Sequence, residues 1–240
     1  MTAPEQTLEI AGLRSTVIGE ASASLTVVLL HGFSMTPADL SPFAHSLNVP
    51  ARFVLPQGPV SPPGGGAAWW ESDRAGRPDP RAIGWDLFDE EPAGLDAART
   101  MLGDLLSSLR SEAPPKSLLA LGGFSQGGML AMDYALRSSH RPDALALLSS
   151  SRIAYRKWLA TRSRLYDLPV LVSHGQTDSY LAFAAGEALR DFCIGSDARV
   201  TWVPFAGGHE IPLAVWRALR KQLISLITDT SHRLVSNAQS

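Results

Sequence analysis

Six short apolar runs, separated by amphipathic stretches of helical length, limit how this chain folds more than any other feature. Each run has four to six residues and is rich in Val and Leu, which is typical of strands buried on both faces of a sheet. Strands are therefore predicted at 25–30, 52–55, 117–121, 144–148, 168–172 and 199–203. Helices are predicted between them, at 37–47, 92–110, 126–137, 181–192 and 211–227. This alternation indicates an α/β fold with a mostly parallel central sheet flanked by helices.

No repeat or linker divides the chain, so residues 1–240 are predicted to form a single α/β domain. Residues 1–20 alternate more loosely and are compatible with antiparallel edge strands. Residues 56–95 hold seven prolines, seven glycines and three of the six tryptophans. Because disordered segments are poor in aromatic residues, this long segment is predicted to be an ordered loop or a lid. The polar tail at 228–240 lacks helical periodicity and is predicted to fray.

Composition and charge exclude several classes of protein. With 45% hydrophobic and 18% charged residues, the chain can bury a sizeable core, which excludes intrinsic disorder. The net charge of −2 gives no basic excess to neutralise phosphates, so nucleic acid is not an expected partner. The single cysteine, Cys193, cannot form an internal disulfide or a thiolate zinc site. There is no signal-peptide pattern after Met1 and no apolar run near about 18 residues, so a cytoplasmic protein without a membrane span is predicted.

The stretch at 118–128, LLALGGFSQGG, contains the motif G-x-S-x-G, formed by Gly123, Ser125 and Gly127. A serine attacks a carbonyl only when its Oγ stands exposed beside a base and a pair of N–H donors. A sharp turn from strand to helix exposes the Oγ, and glycines two positions before and after leave room for that turn. Here an apolar run precedes the motif and an amphipathic helical pattern follows it. Ser125 is therefore the predicted nucleophile.

A serine nucleophile needs a base and an orienting acid, and position in the chain selects among the six histidines. Reactive groups of open α/β sheets collect at the carboxyl ends of strands, which favours His174 and His209. His209 follows the last predicted strand and two glycines, so it is the predicted base. Asp178, in the loop after the strand at 168–172, is the predicted acid, and His174 is interpreted as a buried imidazole supporting that loop. The order Ser125, Asp178, His209 is that of α/β hydrolases.

Two backbone N–H groups are expected to stabilise the negative oxygen of a tetrahedral intermediate. One belongs to Gln126, directly after the nucleophile and at the positive end of the helix. The other is expected in the loop after an early strand, where His31 and Gly32 follow the strand at 25–30. Phe33 is the predicted second donor.

Four motifs together resemble the phospholipase/carboxylesterase family, which includes the acyl-protein thioesterases. They are Leu30-His-Gly-Phe, Gly-Phe-Ser-Gln-Gly-Gly, His174-Gly-x-x-Asp178 and Gly208-His209-Glu210. The resemblance covers residues 20–227 and implies an α/β-hydrolase fold. It also implies hydrolysis of esters or thioesters without a metal or other cofactor, by a triad of Ser125, Asp178 and His209. Short- to medium-chain carboxylic esters are the implied substrates, with lysophospholipids and S-acylated proteins as others.

The chain departs from the family pattern near the expected substrate. Trp69-Trp70-Glu71 replaces a frequent Trp-Phe-Asp, Ser179-Tyr180-Leu181 follows the acid where Val-Pro is frequent, and the insertion at 73–91 is longer than usual. Trp69, Trp70 and Met129 are the predicted substrate contacts, beside Phe33.

Several functions other than ester hydrolysis remain open at this point. They are an acyltransferase, a lactone hydrolase on the same fold, and a non-catalytic relative that only binds a ligand. The sequence also leaves a monomer and a homodimer as alternatives.

Overall fold

A computed structural model describes residues 4–72 and 84–238, with side chains described as far as residue 229. Eight strands form one sheet in the order β1-β2-β4-β3-β5-β6-β7-β8. The strands are β1 (Glu5–Ile10), β2 (Leu13–Ile18), β3 (Leu25–Leu30), β4 (Arg52–Pro56), β5 (Leu118–Phe124), β6 (Ala144–Leu148), β7 (Pro169–Gly175) and β8 (Arg199–Phe205). The helices are α1 (Pro37–Ser46), α2 (Leu95–Glu112), α3 (Gln126–Arg137), α4 (Tyr155–Ala160), α5 (Phe183–Ile194) and α6 (Leu213–Ala238).

The sheet is parallel except at one edge. Strands β1 and β2 form an antiparallel hairpin whose turn, Ala11-Gly12, has positive φ at both residues, as the twist of a tight hairpin requires. Strand β2 then pairs antiparallel with β4, and all remaining pairs are parallel. The predicted α/β fold with a mostly parallel central sheet is confirmed, and so are the antiparallel edge strands.

Helices cover both faces of the sheet because its central strands are apolar on both sides. In β3, Val28 and Leu30 pack into the cluster that contains α2, α3 and α5, whereas Val27 and Leu29 pack into the cluster that contains α1 and α6. All six residues of β3 are buried. Because the strands are parallel, their carboxyl ends lie on the same side of the sheet, and the loops that follow them lie close to one another.

Two regions differ from the sequence prediction. The helix α4 and a 3-10 turn at Arg162–Leu165 were not predicted, because helices this short carry no clear periodicity. They are fixed by the fully buried Trp158, whose Nε1 donates to Asp133 Oδ1 at 2.8 Å. The last helix, α6, continues to Ala238, where the sequence predicted the helix to stop at 227 and the tail to fray.

The segment at 56–95 is partly outside the described residues, since residues 73–83 are not described. Its first part returns against the loop after β3 through a bridge between Met35 and Ala67, and it closes on itself through a bridge between Val60 and Ala68. Its last part bridges to the loop after β7, which carries Asp178 and is called the acid loop below: Trp85 pairs with Leu181. Movement of this segment as a lid stays a prediction. In the ranges that the structure describes, no helix has both the length and the hydropathy to cross a membrane.

Candidate active site

Ser125 lies at the sharp turn between β5, which ends at Phe124, and α3, which begins at Gln126. Its φ of 53° and ψ of −117° are a strained conformation for a residue with a Cβ. Hydrogen bonds at both its N–H and its carbonyl hold Ser125 in this conformation. Its N–H donates to the carbonyl of Leu148 at 2.8 Å, and its carbonyl accepts from Ser150 Oγ at 3.0 Å. The turn therefore presents Ser125 at the carboxyl end of the sheet.

The glycines around Ser125 are required by close backbone contacts. A Cβ on Gly123 would collide with the backbone of Gly127, and one on Gly127 would collide with the carbonyls of Leu30 and His31. These contacts bring the start of α3 directly against the end of β3. The room that the sequence motif predicts is present in the structure.

Asp178 lies in the loop after β7, with a fully buried side chain. Its Oδ1 accepts hydrogen bonds from the backbone N–H groups of Tyr180 and Leu181, at 2.8 and 2.9 Å. Its Oδ2 lies 2.6 Å from His209 Nδ1. Burial alone would raise the pKa of Asp178, but the hydrogen bond and charge of His209 and the bond from Leu181 outweigh it and lower the pKa. The carboxylate is therefore held ionised beside the imidazole.

His209 lies in the loop after β8, with its ring between two aromatic side chains. The ring centroid is 4.7 Å from that of Phe124 and 5.1 Å from that of Tyr180. This loop is tied to the acid loop, because Thr177 N–H donates to Gly207 O at 2.9 Å and Gly175 lies too close to that loop to carry a Cβ. The predicted base and acid are thus brought together by two adjacent parallel strands.

His174 supports the acid loop by hydrogen bonding to its backbone, as the sequence predicts. Its Nε2 donates to the carbonyl of Leu181 at 2.9 Å and lies 3.4 Å from Asp178 Oδ2. Burial lowers the pKa of His174, so the imidazole stays neutral and keeps its proton on Nε2. Its Nδ1 points at Gly186 of α5, where a Cβ would collide with the ring.

The two predicted oxyanion donors face the same cavity as Ser125. Among the hydrogen bonds of the described residues, the backbone N–H groups of Phe33 and Gln126 have no protein acceptor. The loop that carries Phe33 is fixed by the fully buried His31, whose Nδ1 lies 2.7 Å from Gly32 O and whose Nε2 accepts from Gly58 N–H at 2.9 Å. Burial lowers the pKa of His31, which keeps this ring neutral as the two bonds require.

A cavity of about 470 Å³ contains Ser125 and His209 in its lining. Trp70 and Met129, two of the three predicted substrate contacts, line it as well, as do both oxyanion candidates. The expectation for Trp69 is wrong. Its ring is buried, with 2% of its surface exposed, because it stacks on His31 and its Nε1 donates to the carbonyl of His31 at 2.9 Å. Trp69 therefore belongs to the scaffold of the site and does not line the cavity.

A family model described as phospholipase/carboxylesterase matches residues 12–227. The chain belongs to the phospholipase/carboxylesterase family. The members of this family are hydrolytic enzymes, and the chain is therefore an enzyme of this type. The family that the four sequence motifs resemble is confirmed.

Individual relatives share little sequence identity with this chain. Acyl-protein thioesterase 1 of Neurospora crassa is 25% identical over 165 residues, which are 65% of this chain and 66% of the relative, slightly less than two thirds of its length. The crystal structure of esterase PE8 has a TM-score of 0.70 at 23% identity, covering 94% of this chain and all of that one. Zea mays acyl-protein thioesterase 2 has a TM-score of 0.69 at 20% identity, over 89% and 98% of the two chains. These structures share the fold.

In this phospholipase/carboxylesterase family member, sequence reasoning missed part of the cavity wall. Tyr180, Trp85, Leu87 and Ile153 line the cavity and come from three separate segments. Only Tyr180 carried a signal, because it lies two residues after the predicted acid and replaces part of the frequent Val-Pro. The others are brought to the site by the segment after residue 84 and by the loop before α4, which no local pattern predicts.

Proposed function

We propose that the protein hydrolyses carboxylic esters of short to medium acyl chain through Ser125, His209 and Asp178, with an acyl-enzyme intermediate. The observation that carries the proposal is the 2.6 Å contact between Asp178 and His209, in a cavity that both His209 and Ser125 line. Thioesters are included because a relative is named an acyl-protein thioesterase. Lysophospholipids are included because the family description names phospholipases.

In this mechanism Ser125 Oγ attacks the acyl carbonyl while His209 Nε2 takes the hydroxyl proton. Asp178 holds the proton of His209 on Nδ1 and stabilises the imidazolium that forms. The N–H groups of Phe33 and Gln126 stabilise the oxyanion of the tetrahedral intermediate. When this intermediate collapses, the carbon–oxygen or carbon–sulfur bond to the leaving group breaks, and His209 gives its proton to that group. Water then attacks the acyl-enzyme by the same route and regenerates Ser125.

The acyl chain is assigned to the wall of the cavity on the α3 side. Met129 lies one helical turn after Gln126 and so on the same face of α3 as the oxyanion donor. Trp70, Leu87 and Ile153 add further apolar surface. A medium acyl chain can therefore bury itself here while its carbonyl oxygen points at the two donors.

The test is turnover of p-nitrophenyl esters of increasing acyl length by the wild type, Ser125→Ala and a matched control, Ser111→Ala. Ser111 is exposed on α2, and its hydroxyl donates only to the carbonyl of Ser108. We expect Ser125→Ala to lose at least about three orders of magnitude in kcat, and Ser111→Ala to match the wild type. Full turnover by Ser125→Ala would overturn the proposal.

Two further measurements separate the alternatives. Covalent labelling of Ser125 by a fluorophosphonate is expected, and a protein that is inert to both the probe and the esters would be a ligand-binding relative. Product analysis with an added alcohol distinguishes hydrolysis, which yields the free acid, from acyl transfer, which yields a new ester. A lactone hydrolase would open cyclic esters faster than the linear series.

A further inference from the structure

Two large aromatic rings stand half exposed at the cavity. The exposed fraction is 37% for Tyr180 and 53% for Trp85, and both residues line the cavity. Large aromatic rings dominate the energetics of binding surfaces, and an exposed pair in a concave site marks a place for a ligand. We refer to Tyr180 and Trp85 together as the aromatic platform.

The backbone couples the two residues of the platform. Trp85 N–H donates to the carbonyl of Tyr180 at 2.9 Å, and Ala182 N–H donates to the carbonyl of Trp85 at 3.0 Å. A Cβ on the neighbouring Gly84 would collide with the backbone of Leu181 and Ala182, so the two segments lie in direct contact. The platform is therefore preformed, and a ligand need not order it at an entropic cost.

One residue of the platform, Tyr180, lies beside the proposed proton donor, with its ring centroid 5.1 Å from that of His209. Tyr180 N–H donates to Asp178 Oδ1 at 2.8 Å, and its ring is tilted by 33° against that of His209. Because His209 gives its proton to the leaving group in the proposed mechanism, the leaving oxygen must lie beside His209 and hence beside Tyr180. The acyl chain, in contrast, is assigned to the α3 side.

Two of the described acidic side chains near the platform form ion pairs with basic residues. Asp86 pairs with Arg152 at 3.3 Å, and Glu91 pairs with Lys157 at 2.7 Å. Glu90, which lines the cavity, also has an interaction partner. Asp86 and Glu91 thus attach this segment to the body of the protein. Because these two charges are paired, we assign an uncharged flat group to the platform rather than a cation.

We propose that Tyr180 and Trp85 stack the leaving group of the substrate, so that the preferred substrates are esters or thioesters of flat aromatic alcohols or thiols. The inference rests on the proposed function, since it uses the role of His209 as the proton donor. It adds a preference for aromatic leaving groups to the esters and thioesters of that proposal.

The test compares two butyrate esters whose leaving groups have matched acidity, phenyl and hexafluoroisopropyl. We expect the wild type to prefer the phenyl ester in kcat/KM. Tyr180→Leu and Trp85→Leu should each reduce that preference roughly three- to tenfold, the size of one lost aromatic contact. Tyr180→Phe should keep it, because the ring remains. Tyr166→Leu, which removes an exposed ring outside the cavity, is the matched control and should also keep it.

A binding measurement separates this inference from the proposed function. Titration of the Ser125→Ala protein with 2-naphthol and with cyclohexanol should show preferential binding of 2-naphthol, weakened by Tyr180→Leu or Trp85→Leu. If Ser125→Ala binds 2-naphthol preferentially but the wild type hydrolyses no ester, the result would support the platform and overturn the hydrolase proposal. An active enzyme with an unchanged ester ratio in folded, fluorophosphonate-reactive Tyr180→Leu and Trp85→Leu would overturn the platform. Faster hydrolysis of butyrylcholine than of the phenyl ester would overturn it too.

Discussion

The side chain of Gln126 holds the backbone of Trp69, with Oε1 accepting from the Trp69 N–H at 2.8 Å. The same amide donates through Nε2 to the carbonyl of Trp70 at 3.0 Å. Trp69 in turn donates through Nε1 to the carbonyl of His31, next to the loop that carries Phe33. The backbone N–H of Gln126 is one proposed oxyanion donor. Through its side chain, Gln126 therefore also positions the loop of Phe33, the other donor.

Gln126→Ala is expected to weaken both the fold and the oxyanion site. The substitution leaves the buried N–H of Trp69 and carbonyl of Trp70 without partners, which should lower the free energy of unfolding by about 1–3 kcal/mol. Because the loop of Phe33 loses its anchor, binding of a trifluoromethyl ketone, which mimics the tetrahedral intermediate, should weaken by more than binding of a substrate-like amide. Urea unfolding and inhibition constants measure the two effects.

Gln222→Ala is the matched control for Gln126→Ala. Gln222 also donates through Nε2 to a backbone carbonyl, that of Leu145, but does not line the catalytic cavity. We expect a loss of stability without a change in the ratio of the two inhibition constants. An equal ratio in both variants would contradict the positioning role of Gln126.

The predictable part of the site is the part fixed by strand ends. Ser125, Asp178 and His209 each follow a strand of the parallel part of the sheet. Parallel strands bring their carboxyl ends together, so the proximity of the three residues follows from the pattern. The structure brings Asp178 and His209 into contact and places Ser125 and His209 in one cavity. The roles of these residues stay a proposal.

The cavity wall was not predictable because it depends on long-range packing. Trp69 and Trp70 are consecutive residues of identical type, yet their side chains leave the backbone in different directions. Trp69 packs on His31, whereas Trp70 lines the cavity. Both are buried, and their backbones are held by hydrogen bonds to Gln126, 57 and 56 residues away in the chain. Trp85 likewise reaches the site through a bridge to Leu181, which no local pattern indicates.

Gly127→Ala is expected to be strongly destabilising although it places alanine inside a helix. The added Cβ would meet the carbonyls of Leu30 and His31, and neither backbone can move without displacing β3. Gly103→Ala is the matched control in α2, because its Cβ would meet only Tyr134 Cε2 at an ordinary 3.6 Å. Helix propensity predicts that Gly103→Ala raises the free energy of unfolding by about 0.5–1 kcal/mol. Similar changes in both variants would contradict the close approach of α3 to β3.

The free energy of unfolding is expected to fall as the pH drops below about 6.5. Burial lowers the pKa of His31 and His174 from 6.5 in the folded state, so the unfolded chain binds more protons once the pH falls below that value. Stability is therefore highest above pH 6.5 and is lost progressively down to the folded-state pKa values. Asp178, whose folded pKa is also lowered, adds a separate loss only below its unfolded value of 3.8.

Urea unfolding between pH 8 and pH 5 measures this dependence. His174→Gln retains an N–H donor for the carbonyl of Leu181 but cannot be protonated, so it should flatten the dependence relative to the wild type. A wild-type free energy of unfolding that stays constant from pH 8 to pH 5 would contradict the assignment of both rings as buried and neutral.

Ser125→Gly is expected to be more stable than Ser125→Ala. The turn holds residue 125 at a φ of 53° and a ψ of −117°, which costs on the order of 1–3 kcal/mol for any residue with a Cβ. Glycine relieves this cost but loses more conformational entropy on folding, by about 0.5–1 kcal/mol, so the net gain should be about 1 kcal/mol. Neither variant has the hydroxyl, and the difference in unfolding midpoint between them therefore reports the backbone strain less the conformational entropy that glycine loses on folding. If Ser125→Gly were the less stable of the two, the strain at residue 125 would be smaller than the entropy cost of glycine, which would contradict the roughly 1–3 kcal/mol expected for this conformation.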